Sequence, residues 1–111
     1  MIGFVIGNGV SRKPINLDDL SSHGMVYGCN ALYRDYCPHR LIAVDDKMLN
    51  EIDRNKVQDT IAVWTYHRKK RENKNFNFFD ANLGWSSGPS ALRLAVLEEC
   101  KRIYILGFDY S

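Results

Sequence analysis

Apolar residues gather in five short runs, at residues 2–6, 25–29, 41–44, 60–64 and 103–106, most of them rich in Val and Ile. None alternates cleanly between apolar and polar positions, as a strand with one wet face would. Continuous runs of this length suit strands covered on both faces. Between the runs the spacing turns helical: residues 18–20 make one turn, 31–36 and 47–54 two short helices, and 89–101 the longest helix. That last segment is preceded by Ser87-Gly88 as a cap and carries Pro89 at its first position, both favoured where a helix begins. Leu92, Ala95, Val96 and Cys100 recur at helical intervals along it, which predicts that one face packs on a sheet.

Strands alternating with helices predict an α/β fold: a three-layer Rossmann-like domain over residues 1–111, with about five mostly parallel strands. The first strand is expected at the centre, flanked by the second and the fourth. Residues 66–87 fit neither period. They are basic, rich in asparagine and aromatic, and read as a long ordered loop or a lid that closes over a ligand.

In an open parallel sheet, ligands bind beyond the carboxyl ends of the strands, where strand order reverses. Polar and glycine residues of this chain stand at those ends. Gly7-Asn8-Gly9, with Ser11 behind it, follows the first strand; Asn30 follows the second, Asp45 the third and Asp109 the last. Ser86, Ser87 and Gly88 open the long helix, whose first amides and positive dipole end suit a phosphate. Each residue also has an ordinary reading. Gly-Asn-Gly serves as a strand-to-helix turn, Asn30, Asp45 and Ser87 as helix caps. Asp45 and Asp109 are the carboxylates that could act in catalysis, and Asp45 the one that could hold a divalent cation against a phosphate.

The segments "GNGVS" (7–11), "GCNALY" (28–33), "SSG" (86–88) and "IYILGFDY" (103–110) resemble the ordered motifs of bacterial family 42 sialyltransferases. They are also similar to the related 6-hydroxymethylpterin-diphosphokinase-like proteins that begin with a Gly-Asn-Gly loop. The resemblance implies a Rossmann-like domain holding a cytidine nucleotide or nucleotide-sugar. By that likeness Asn8 and Asn30 contact the nucleotide, Ser87 and Gly88 lie beside it, and Asp109 sits near its ribose. The family's histidine base and acceptor lid follow the Gly-Phe-Asp motif, beyond Ser111, so the resemblance carries binding further than transfer. Asp45 fits the diphosphokinase-like branch, where an acid follows the third strand.

Charge changes this picture at one place. The net charge is only +2, yet Arg68, Lys69, Lys70, Arg71 and Lys74 fall within eight residues. The run is either a solvated surface or a local phosphate-attracting patch, with Arg68 and Arg71 as the phosphate candidates and single-stranded nucleic acid as an alternative partner. His23, His39 and His67 form no metal-ligand spacing with one another or with cysteine. Cys29, Cys37 and Cys100, odd in number and without a Cys-x-x-Cys pair, are expected as reduced thiols in the cytoplasm. No apolar run approaches a membrane span, and no signal peptide is expected. The chain also lacks the glycine spacings of dinucleotide and P-loop sites.

Overall fold

The computed structural model describes residues 1–7, 16–66 and 68–108. Six strands form one sheet: β1 Ile2–Ile6, β2 Met25–Cys29, β3 Arg40–Ile42, β4 Ala62–Thr65, β5 Asn77–Phe78 and β6 Arg102–Leu106. Their order is β5-β4-β3-β2-β1-β6, and every pairing is parallel. The α/β class expected from the sequence is therefore present, with one strand more than the five apolar runs. The additional strand, β5, lies inside the aromatic "NFNFF" stretch and is too short to carry a hydrophobic period.

The helices are α1 Leu17–Ser21, α2 Asp46–Arg54 and α3 Ser87–Leu97. Short 3-10 turns span Asn30–Arg34, Val57–Asp59 and Arg68–Lys70. Successive strands β1 to β5 step outward in one direction. The chain then returns through α3 to lay β6 on the far side of β1. Parallel crossovers are right-handed, so a reversal of direction places the connection on the opposite face. Accordingly, Leu17 and Leu20 of α1 pack with Phe4, Ile6 and Val26, and Leu49 and Ile52 of α2 pack with Leu41, Ala43 and Val63. The alternate strand residues Val5, Tyr27, Cys29 and Ile42 meet Ala91, Leu94 and Ala95 of α3. The result is three layers.

Strand order corrects one expectation. β1 is flanked by β2 and β6, not by the second and fourth strands. Consecutive strands joined by short right-handed connections simply lie side by side, and only the long α3 crossover carries the chain back past β1. The faces of α3 also differ from the spacing argument. Its inward face is Ser87, Ser90, Ala91, Leu94 and Ala95, whereas Val96 is 59% exposed. The small inward residues let α3 approach the sheet closely, and the larger Leu92 and Val96 fall on its other side.

At the amino-terminal end of the sheet sits a half-buried polar group. The Tyr27 hydroxyl donates to Glu98 at 2.8 Å and lies 3.5 Å from Cys100 Sγ, and Arg40 Nε donates to the other Glu98 oxygen at 3.3 Å. Burial, followed by the contacts with Cys100 and Glu98, raises the Tyr27 pKa well above its usual 10.0. A raised folded-state pKa leaves stability intact below pH 10; the contribution is lost as pH rises, because only the unfolded tyrosine ionises readily. Urea midpoints measured either side of pH 10 should therefore fall more steeply for the native chain than for Tyr27→Phe. At neutral pH that substitution should cost about 1 kcal/mol for the lost hydrogen bond.

Candidate functional site

The direction of winding reverses between β1 and β6, so the crevice where an open α/β sheet takes its ligands lies at their carboxyl ends. The two strands run in register to Ile6 and Leu106, and the Gly7 amide continues the ladder by donating to Leu106 O at 2.9 Å. β6 then turns through Gly107 at φ 74°, a left-handed conformation suited to glycine. That turn brings the Phe108 ring back over the crevice. A Cβ on Gly7 would stand 2.8 Å from Gly107 O and 2.8 Å from Phe108 Cδ1; one on Gly88 would stand 2.8 Å from Phe108 Cε1. Phe108 thus packs directly on both glycine backbones and walls the site on the β6 side.

The neighbouring wall is polar. Asn30 leaves β2 at φ 53°, a left-handed conformation that asparagine tolerates better than most residues. Its side-chain oxygen accepts a hydrogen bond from the Ser87 hydroxyl at 2.9 Å. One bond therefore joins the end of β2 to the first turn of α3. Beneath it, Cys29 Sγ lies 3.7 Å from Ser87 O. Ser86 occupies the N-cap position of α3, with extended backbone and no side-chain capping bond. The first amides of a helix have no intrahelical acceptor, and Pro89 has no N–H, so the donors at this end are the Ser86, Ser87 and Gly88 N–H groups.

Four of the expected site residues therefore meet at one rim. Gly7 and Gly88 share Phe108, and Asn30 bonds to Ser87, the residue before Gly88. Ser86 stands next to them at the α3 N-cap. Asn8, Gly9, Ser11 and Asp109, together with His67, lie outside the described residues. Phe108 was not singled out by residue type; the glycine before it was the available signal, since a ring needs such a turn to fold back over the sheet. Ser87 lies within the helix, and Asn30 opens the 3-10 turn without capping it.

The remaining described candidates stand on other elements. Asp45 is exposed at the N-cap of α2 and makes no side-chain capping bond. Among the described residues, no group of three or more His, Cys, Asp or Glu side chains converges in a way that could hold a metal. Arg71 is buried on the α2 side of the sheet, with Nη2 2.8 Å from Asp46 Oδ1 and Nη1 3.4 Å from Asn50 Oδ1. Lys70 donates to the other Asp46 oxygen at 2.6 Å. These bonds, from Lys70 first and then Arg71, hold the Asp46 carboxyl below its usual pKa. Lys74 pairs with Asp53 at 3.1 Å, and Arg68 lies 5.0 Å from the centre of the Phe78 ring. The basic run is thus tied down by its own acids and an aromatic ring, on the far side of the sheet from α3. It does not extend as a lid over Ser87.

His39 is also structural: its Nδ1 accepts from the Val26 amide at 2.9 Å. All three cysteines are unbridged. Burial pushes the Cys29 thiol up to about 12, while Cys37 is exposed. A thiol reagent should therefore label Cys37 in the native protein and Cys29 only on unfolding, a difference that mass spectrometry of timed samples would read. No helix among the described residues is long and apolar enough to cross a membrane. Comparison with protein-family models, curated proteins and solved structures finds no match to the chain.

Proposed function

We propose that the rim formed by β1, β2, β6 and the start of α3 binds a nucleotide or nucleotide-sugar, by resemblance a cytidine nucleotide. The observation that carries this reading is the Ser87–Asn30 hydrogen bond beside the β1/β6 crevice. It holds the Asn30 amide at the rim, where that side chain can serve a base or ribose. The same bond fixes the turn of α3 whose first amides, without an intrahelical acceptor, suit a phosphate. Phe108 offers an apolar wall on the opposite side, against which a sugar or base ring can lie. In this reading the domain resembles the donor-binding core of a sialyltransferase-type transferase, and Asn8 and Asp109 complete the base and ribose contacts.

The test is thermal unfolding with CMP, CDP, UMP, ATP and CMP-sugars. A ligand present at 100 times its dissociation constant adds about 2.7 kcal/mol of stability. Asn30→Gly is the informative variant, because glycine accepts the left-handed backbone while deleting the amide. The native chain should be stabilised by a cytidine nucleotide. Asn30→Gly and Ser87→Ala should fold but weaken that response at least tenfold in ligand concentration. The absence of a shift with every nucleotide would end the proposal.

A further inference from the structure

Most surface helices are apolar on one stripe and polar on the other; a helix apolar on both sides is normally buried. α3 buries Ala91, Leu94 and Ala95 against its own sheet, yet Val96 and Leu97 on its other side are each 59% exposed. With Trp85, Pro89, Leu92 and Arg93 they line a groove of about 500 Å³. Among the described residues the one charge lining it is turned away: Arg93 donates to Ala81 O at 2.8 Å and lies 5.1 Å from the centre of the Phe79 ring.

Among the described residues the sheet beside this helix is only partly covered. α3 packs over β1, β2 and β3, leaving β6 to its side. Ile105, on the same face as Val5, is 53% exposed. Edge strands are commonly guarded by charged residues, prolines or bulges. β6 has Arg102 at its start and only Ile103-Tyr104-Ile105-Leu106 after it. A second groove, bounded by Val5, Leu92, Ile105 and Phe108, separates β6 from α3, and Pro89 and Leu92 belong to both grooves. The apolar surface therefore runs unbroken from the helix to the strand.

We infer that this surface is the interface of a two-fold dimer, in which α3 of a second copy lies on β6 alongside the first copy's α3. The dimensions agree. α3 and β6 are both about 16 Å long, so a helix from a second copy matches the strand from end to end. The interface is self-complementary, because each chain carries both the uncovered shelf and the helix with an apolar outer side. A two-fold axis running between the helices satisfies both shelves at once. Trp85, Val96, Leu97 and Ile105 expose together roughly 400 Å². With Pro89, Leu92 and adjoining backbone, each protomer comes near the ~600 Å² of the smaller stable interfaces. The readout here is mass and contact rather than ligand, although the β6–α3 groove shares Phe108 and Gly88 with the proposed nucleotide rim.

Sedimentation velocity over about a 100-fold concentration range around 1 µM should show the native chain passing from monomer to twice its mass. Leu97→Glu and Ile105→Lys alter exposed positions and should each leave the chain folded, by circular dichroism, but monomeric throughout. A Cys37→Ser/Val96→Cys chain mixed with a Cys37→Ser/Ile105→Cys chain should form a disulfide between the two different chains under mild oxidation. That result distinguishes helix-on-strand packing from pairing of two β6 edges, which would link Ile105→Cys to itself. A native chain that stays monomeric, a dimer unaffected by Leu97→Glu, or exclusive Ile105→Cys self-linking would overturn the inference.

Discussion

Leu94→Ala should lower the free energy of unfolding by about 2–5 kcal/mol, the range of buried leucine truncations that leave a cavity. Leu94 is 1% exposed and packs among Val5, Tyr27, Cys29, Ile42, Tyr66 and Phe79. Those neighbours come from three strands and the segments after β4 and β5, so they cannot all collapse into the space it leaves. Leu97, three residues further along the same helix, keeps most of its surface in solvent. In the monomer Leu97→Ala should change stability by no more than about 0.5 kcal/mol, as for an ordinary surface site. Urea unfolding at low protein concentration would read both, and an unchanged slope with a shifted midpoint identifies a change in stability alone. Equal costs at the two positions would mean that the inward face of α3 has been wrongly drawn.

That contrast also shows what spacing along a chain can and cannot decide. Leu92, Ala95, Val96 and Cys100 recur at helical intervals, and from periodicity alone they form one apolar face. In the fold Ala95 turns inward, Val96 turns outward and Cys100 lies beyond the helix. A helix apolar on two sides has no single face for a period to find. The five longer strands and their parallel sense were legible because double-sided burial leaves near-continuous apolar runs. β5 was not: two residues, Asn77 and Phe78, carry no period, and their pairing with β4 is a tertiary fact. Strand order was misjudged for a related reason, since nothing local in residues 103–106 says which edge of the sheet they join.

The rim was more legible than the order of the strands. Asn30 and Ser87 are 57 residues apart, yet both were marked by their place, one after a strand and the other before a helix. Such places converge in any doubly wound sheet, whatever the sequence between them. The basic run misled because charge density was visible while its partners were not. Asp46 and Asp53 lie on α2, and only the fold shows that they face Lys70, Arg71 and Lys74.

Gly7→Ala should destabilise the chain by about 1–3 kcal/mol, the usual cost of forcing a methyl group into a packed site. Nucleotide-induced stabilisation should diminish with it. The added Cβ would meet two groups, Gly107 O and the Phe108 ring, each at 2.8 Å. The ring can swing aside, but the carbonyl belongs to the turn that closes β6, and moving it disturbs the Gly7–Leu106 bond that ends the β1/β6 ladder. Gly88→Ala is the control, because its nearest neighbour is the Phe108 ring alone. Phe108→Ala should therefore relieve Gly88→Ala almost completely while leaving most of the Gly7→Ala cost in place. A double-mutant cycle in urea measures this directly as a large coupling at one glycine and a small one at the other. Equal relief at both would show that the ring, and not the backbone beneath it, sets the shape of the crevice. Phe108 would then be the first residue to alter in any attempt to widen the site for a larger ligand.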